Sequence, residues 1–289
     1  MPKKSINDIR VPTYDDLFTN EEQRQEAKLE KIMEVPVEDI QEFKNHPFRV
    51  RNDEQMSELV KSVSENGILV PVLIRPNKKK DGYEMVSGHR RKFAMQQTGA
   101  TEIDAIIRDL DDDQATIIMV DSNIQRENIL PTERGFAYKM KLDEMKHQGK
   151  RVDLTCAQVG HKSGKKSVDT IAEESGESRN QIKRYIRLTY LVKPLRDMVD
   201  GISENDLKIA LNPAYELSFL KLDEQNDLVQ CIQNTYFTPS LAQSQELKRL
   251  SQSNNLNKDM IYKMLLIVKP NNQISNLDFL LKDYNTAKG

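Results

Sequence analysis

The segment Val86-Ser87-Gly88-His89-Arg90-Arg91-Lys92-Phe93-Ala94 joins an apolar run to a polar helical pattern, and it decides how the first half of the chain folds. The apolar residues before it predict a strand, and the residues after Gly88 predict a helix that ends at Gly99. A helix start leaves backbone N–H groups without an intrahelical acceptor. With the guanidinium groups of Arg90 and Arg91, these N–H groups suit phosphate oxygens. Structural salt bridging of the two arginines is the alternative.

Short strands and amphipathic helices surround this turn. Apolar runs bounded by turn residues predict strands at 32–37, 70–75, 83–86 and 103–108. Asp53 suits the N-cap of an amphipathic helix that ends at Asn66-Gly67, and the acidic run Asp111-Asp112-Asp113 suits the start of another helix. These elements predict an α/β domain at 32–128, after a flexible arm at 1–31.

The chain after Pro131 is predicted to be helical. A long helix should run from Pro131 to about His147, followed by a polar loop at 149–166 that contains Gly160 and Gly164. Further helices continue to about Ser251. The expected fold class is therefore α+β, with the α/β domain followed by an all-helical DNA-binding domain at 129–252 and a short helical tail at 253–289.

Composition limits the classes of protein to consider. Charged residues make up 30% of the chain, yet the net charge is only −2, so a nucleic-acid surface must be a local patch. The two cysteines, Cys156 and Cys231, lack the spacing of a metal site or a disulfide framework. No apolar run is long enough for a signal peptide or a membrane span. A cytoplasmic protein is expected.

Residues 168–188 have the spacing of a helix-turn-helix. Gly176 suits the left-handed turn position, and Ser178 suits the N-cap of the second helix. Between His161 and Lys193, eight lysines and arginines stand against four acidic residues. We expect the DNA contacts to come from the basic and amide side chains of this region and its preceding loop: Lys166, Ser178, Arg179, Asn180, Gln181, Lys183, Arg184 and Arg187. A helical hairpin with a solvated basic face is the alternative.

A second polar segment, Asp121-Ser122-Asn123-Ile124-Gln125-Arg126-Glu127, follows the helix that begins near Asp111. Asn123, Gln125 and Arg126 can contact a phosphate, a nucleobase edge or a metal-bound water; an ordinary polar helix end is the alternative. Because Pro131 follows closely, we expect this segment to lie at a joint between domains. Arg91 and Arg126 should then converge on one triphosphate pocket.

Three ordered segments give the chain a family resemblance. They are Gly67-Ile68-Leu69-Val70-Pro71-Val72-Leu73-Ile74-Arg75, then Gly88-His89-Arg90-Arg91-Lys92-Phe93-Ala94, and then Ser122-Asn123-Ile124-Gln125-Arg126-Glu127-Asn128-Ile129-Leu130-Pro131. Together with the helix-turn-helix, they resemble the ParB family of chromosome and plasmid partition proteins over about 32–250. The amino-terminal domain is also similar to sulfiredoxin.

The resemblance implies a DNA clamp that CTP and Mg²⁺ close around double-stranded DNA. It implies a homodimer on a palindromic, centromere-like site, a ParA-like ATPase as partner, and association with the nucleoid or a plasmid. It places Gly88, Arg90 and Arg91 at the nucleotide and its triphosphate, and Asn123 and Arg126 at the phosphates or the metal shell. We also expect His89 and Gln125 at the nucleotide, and Asn123 at the metal. The resemblance places Gln181, Lys183 and Arg184 at the DNA.

Two departures from the family pattern bear on activity. His89 and Ser122 each stand where the family has glutamate, and the second glutamate is tied to metal handling and hydrolysis. The resemblance therefore predicts nucleotide binding with slow or absent hydrolysis, and no catalytic residue is assigned. A transcriptional or copy-number regulator that does not switch is the alternative. Sulfiredoxin chemistry needs a cysteine near Gly88, and the sequence has none there. A nuclease needs clustered metal ligands, and the acidic run Asp111-Asp112-Asp113 is better explained as the start of a helix.

Overall fold

The computed structural model describes residues 31–77, 81–126, 128–155 and 167–267, with the backbone alone at 148–155. Its described residues form two units that divide between Asn123 and Ile124. A sheet with helices precedes an all-helical region, which confirms the predicted fold class. The expected arm, apart from Lys31, and the part of the expected tail after Ile267 lie outside the described residues.

The first unit contains a five-stranded mixed sheet with the strand order β1-β5-β3-β4-β2. Antiparallel pairs join β1 to β5 and β3 to β4, whereas β3 pairs parallel with β5 and β2 with β4. The bounds of the strands are β1 Ile32–Pro36, β2 Ile40–Gln41, β3 Val72–Pro76, β4 Tyr83–Ser87 and β5 Glu102–Ile107. The sequence missed β2 because two residues are too few to show a period.

Alternating apolar residues of the central strands form the core of this unit. Val72 and Ile74 on β3, Ala105 on β5 and Met85 on β4 are all fully buried. The helices of the unit are α1 Glu54–Asn66, α2 His89–Gln97 and α3 Asp112–Ile124. As predicted, the Asp53 carboxylate accepts a hydrogen bond of 2.9 Å from the Met56 N–H at the start of α1.

A buried arginine fixes the start of α3 against the sheet. The Nε of Arg75 on β3 donates to Glu84 Oε2 on the neighbouring strand at 2.7 Å. Its Nη1 lies 2.7 Å from Asp112 Oδ1 and donates to the carbonyl oxygen of Leu110 at 3.3 Å. Because one planar guanidinium contacts all three groups, the position of Arg75 on β3 determines where α3 begins.

The second unit is built from helices around a continuous apolar core. Their bounds are α4 Pro131–Thr155, α5 Ser167–Ser175, α6 Arg179–Leu188, α7 Lys193–Asp200, α8 Leu211–Leu217, α9 Leu222–Thr235, α10 Leu241–Gln252 and α11 Lys258–Leu266. Leu188, Leu195, Leu217 and Leu228 are fully buried in one cluster of this core. Across the part of the chain that the structure describes, no helix has the length and apolar character needed to cross a bilayer.

The prediction of a polar loop at 149–166 is wrong for residues 149–155. Helix α4 continues to Thr155 rather than ending near His147. A single glycine such as Gly149 costs a helix interior only about 1 kcal/mol, so it is a weak signal for the end of a helix. Residues 156–166 lie outside the described part of the chain.

Candidate functional site

Gly88 turns the chain from β4 into α2 with a left-handed backbone. Its φ is 111° and its ψ is 16°, and it is the N-cap of α2 without a side chain to cap the helix. A Cβ atom on Gly88 would lie 2.6 Å from Cγ1 of Val72 and 3.4 Å from Nη2 of Arg91. The backbone therefore approaches the sheet closely, and the positive end of α2 has neither a side-chain cap nor an acidic residue in its first turn.

The two arginines of this turn make contacts within the first unit. Arg90 Nη2 lies 3.5 Å from Asp53 Oδ1, which also caps α1. Arg91 Nη1 donates to the carbonyl oxygen of Pro71 at 2.7 Å and also to that of Val70. Burial lowers the pKa of Arg91 from its ordinary value. Both guanidinium groups thus fasten α2 to the segments before α1 and β3.

His89 lies inside the domain rather than at its surface. Its ring stacks on that of His46 with 3.7 Å between centroids, and its Nε2 is 3.6 Å from Glu42 Oε2. The buried Lys92 donates to Glu42 Oε1 at 2.8 Å and to the Ile40 carbonyl oxygen at 2.6 Å. The side chain of His89 therefore supports the turn, while its backbone N–H belongs to the first turn of α2.

Asn123 is buried near the end of α3. Its Nδ2 donates to the carbonyl oxygen of Met119 at 2.7 Å and contacts Ser122 Oγ at 3.3 Å, whereas its Oδ1 has no hydrogen-bond partner among the described residues. A buried oxygen without a donor is costly, and it is the ligand type that Mg²⁺ takes. Gln125 and Arg126, both exposed, follow in the second unit. The convergence of Arg91 and Arg126 stays a prediction.

The helix-turn-helix is formed by α5 and α6, as the sequence predicted. Gly176 has a φ of 71° in the turn, and Ser178 Oγ accepts from the Gln181 N–H at 3.2 Å. Ile171 and Ile182 are buried between the helices with Tyr138 of α4. This packing leaves Arg179, Asn180 and Lys183 exposed on the second helix, where major-groove contacts are made in such motifs.

The remaining DNA candidates differ in how far they are exposed. Arg184 Nη1 donates to Asn212 Oδ1 at 3.2 Å, and Gln181 is half-buried. Arg187 is held within the unit, since it donates to Ser218 Oγ at 3.0 Å and lies 4.1 Å from the centroid of the Phe219 ring. The structure gives Arg187 a packing contact that its exposed pattern did not predict, and its DNA contact stays a prediction. Lys166 lies outside the described residues.

Sequence reasoning missed the polar residues that hold the turn of this motif. Arg134 and Lys141 on α4 form ion pairs with Glu177 and Glu174. Their spacing with Tyr138 repeats every three or four residues, which places them on one face of the helix. That period was a usable signal, although charged residues at helical spacing usually indicate a solvated face.

Residues 21–124 match the family model described as the ParB N-terminal domain. This stretch, about a third of the chain, is thus similar to the ParB N-terminal domain family. The match covers Gly88, Arg91 and Asn123 and ends at Ile124, so all but the first residue of the second unit lies after it. The predicted resemblance to the ParB family is thereby confirmed.

Curated relatives extend the ParB likeness over more of the chain, and solved ParB structures are also matched. A probable chromosome 1-partitioning protein ParB of Deinococcus radiodurans is 31% identical over 170 residues, which cover 59% of this chain and 51% of that protein. The C-terminally truncated ParB of Caulobacter crescentus complexed to the centromeric parS site is 22% identical, with a TM-score of 0.42, over 75% of this chain and 98% of that one. The same Caulobacter protein complexed with CTP-gamma-S is 24% identical, with a TM-score of 0.32, over 70% and 98%. The chain spans about half the length of the first curated relatives it matches.

Proposed function

We propose that this chain is a ParB-like partition protein that binds a centromere-like DNA site through α5 and α6. The observation that carries this proposal is the helix-turn-helix, in which Ser178 caps α6 and Ile182 is buried beneath it. The exposed Arg179, Asn180 and Lys183 on α6 have the chemistry for base edges and phosphates. The curated relatives that the chain matches are chromosome-partitioning proteins, which supports the same role.

In this proposal CTP binds at the Gly88 turn. The start of α2 offers backbone N–H groups, a positive helix end and the guanidinium groups of Arg90 and Arg91, which fit a triphosphate. Only a residue without Cβ fits at Gly88, which keeps the backbone open to close approach. Mg²⁺ would suit the unpartnered Oδ1 of Asn123. Cytosine is proposed on the family resemblance, not from the contacts.

The remaining proposals follow the family resemblance. The protein acts as a homodimer on a palindromic site, CTP closes it into a clamp, and a ParA-like ATPase is its partner at the nucleoid or on a plasmid. Hydrolysis is expected to be slow or absent because Ser122 lacks a carboxylate. Ser122 Oγ instead donates to the carbonyl oxygen of Met119 at 3.0 Å.

A second candidate function is a DNA-binding regulator that does not switch. The contacts of Arg90 with Asp53, and of Arg91 with the Pro71 carbonyl oxygen, favour it. A nucleotide has to compete with these contacts or be bound around them. The two candidates share the DNA site and differ only in whether CTP binds.

Two measurements test the proposal. Selection from a random duplex library should enrich a palindromic sequence, and failure to enrich any sequence would overturn the DNA-binding function. Calorimetry with CTP and Mg²⁺ should then show saturable binding. Arg91→Ala should weaken the affinity for CTP at least about tenfold, as expected for the loss of a charge-assisted contact. Lys61→Ala, at an exposed position on α1, should bind as the wild type does. Absence of heat in the wild type would favour the second candidate.

A further inference from the structure

One face of α4 holds the turn between the two helices of the DNA-reading motif. Arg134, Tyr138 and Lys141 are spaced by four and three residues, so they form one stripe along α4. Arg134 Nη1 lies 2.5 Å from Glu177 Oε1, and Lys141 Nζ lies 2.6 Å from Glu174 Oε2. Both carboxylates belong to the end of α5 and the turn that follows it. The stripe therefore contacts both the end of α5 and the turn that leads into α6.

The Arg134–Glu177 pair is partly shielded from solvent, whereas the Lys141–Glu174 pair joins a buried lysine to a glutamate whose side chain is 53% exposed. Only 6% of the Lys141 side chain is exposed, and the Arg134 and Glu177 side chains are about one-fifth exposed. Tyr138, between them on the stripe, is fully buried in the apolar cluster that contains Ile171 of α5 and Ile182 of α6. Charge-assisted hydrogen bonds in such surroundings are stronger and more directional than surface pairs.

The turn that they hold determines where α6 begins. Glu177 directly precedes Ser178, whose Oγ caps the helix through the Gln181 N–H. Below the turn, α4 packs against α6 so closely that a Cβ atom on Gly135 would lie 2.2 Å from the Tyr185 carbonyl oxygen. The start and the middle of α6 are thus both fixed to the same helix, which leaves little freedom for its pose.

We propose that Arg134, Tyr138 and Lys141 are positioning residues that set the pose of α6 and thereby its discrimination between DNA sequences. The inference rests on the proposed DNA-binding function. Base readout depends on side chains that reach particular base edges, whereas phosphate attraction tolerates small displacements. Loss of these contacts should therefore lower sequence preference more than it lowers total DNA affinity.

Charge and geometry predict opposite outcomes for one substitution. Glu177→Gln removes a negative charge beside the DNA-reading helix, so an effect of charge alone would strengthen binding to every duplex. A positioning role predicts instead that the affinity ratio between the library-selected duplex and a scrambled duplex falls about tenfold. The affinities for both duplexes are measured at the same salt concentration and at a temperature well below the unfolding temperature of each variant.

A double-mutant cycle completes the test. Arg134→Gln and Glu177→Gln should each lower the ratio, and the double variant should lower it little further, because each single change already breaks the pair. Glu246→Gln breaks the exposed Arg249–Glu246 pair on α10 and should leave the ratio unchanged. If Glu177→Gln fails to fold, Arg134→Lys, which keeps the charge but not the planar geometry, provides the same comparison.

The outcomes separate this inference from the proposed function. A wild-type protein that prefers no duplex overturns the DNA-binding function itself. A wild-type preference that survives in Arg134→Gln and Glu177→Gln overturns the positioning role alone. Additive losses in the double variant would also overturn it, because the two residues would then act independently.

Discussion

Gly88 lies so close to Val72 that a Cβ atom on the glycine would stand 2.6 Å from the valine Cγ1. Its φ of 111° adds a second constraint, since residues with a side chain rarely adopt it. The turn at the start of α2 therefore accepts only glycine on two independent grounds. One is backbone conformation, and the other is the space beside the central strand of the sheet.

Gly88→Ala should destabilise the first unit by about 3 kcal/mol, as strain and overpacking together predict. Gly99→Ala is the matched control, since Gly99 also has a positive φ, of 75°, but no atom lies within 4 Å of its added Cβ. The control should lose only about 1 kcal/mol. Chemical denaturation measures both values. Equal losses for the two variants would contradict the close approach to Val72.

Gly135→Ala should destabilise the helical unit, although alanine normally stabilises a helix interior relative to glycine by about 1 kcal/mol. The added Cβ would stand 2.2 Å from the Tyr185 carbonyl oxygen and force α4 and α6 apart. We expect a net loss of about 2 kcal/mol in the free energy of unfolding. A fall in the unfolding midpoint of Gly135→Ala would support the close crossing of α4 and α6. A rise would mean that the helices do not cross closely at Gly135.

Lys183→Ala and Asn180→Ala should separate phosphate binding from base readout. Lys183→Ala removes an exposed charge, so it should weaken binding to selected and scrambled duplexes alike and reduce the salt slope by about 1. Asn180→Ala should cost the selected duplex about 1–3 kcal/mol and leave the scrambled duplex unaffected. Fluorescence polarisation over a salt series measures both effects. A loss of preference in Lys183→Ala with an unchanged slope would reverse these assignments.

Alkaline stability should depend on Tyr138. Burial is the largest cause that raises the pKa of Tyr138 from 10.0 to about 12 in the folded protein. Between these values the unfolded chain releases the phenolic proton while the folded chain keeps it, so stability falls as pH rises from about 10 to 12. Tyr138→Phe should flatten this fall. Tyr262→Phe, at an exposed position, should not, and identical pH profiles for wild type and Tyr138→Phe would refute the role of burial.

Local signals in the sequence were sufficient for the turns and caps. The carboxylate of Asp53, the glycine at position 88 and the hydroxyl of Ser178 act within four residues of themselves, and the structure has each where the pattern predicts it. Their cap conformations depend on the neighbouring backbone, although the lack of space beside Val72 at Gly88 is a contact between distant residues. For the same reason the α/β domain, the helical domain and the helix-turn-helix could be predicted.

The polar contacts that the sequence did not predict join residues far apart in the chain. Lys141 meets Glu174 33 residues later, and Arg187 meets Ser218 31 residues later. A charged residue at helical spacing has the same pattern whether it faces solvent or a polar partner within the domain. The sequence pattern therefore could not distinguish an arginine that is exposed to a partner such as DNA from one that packs inside the domain.

The most direct test of the account measures protein on a duplex that carries the selected site and is blocked at both ends. With CTP and Mg²⁺, we expect protein to accumulate beyond the single dimer that we expect to bind without nucleotide. Arg91→Ala should bind the site but fail to accumulate. Equal loading of the wild-type protein with and without CTP would contradict the claim that a nucleotide at the Gly88 turn controls the DNA-bound state.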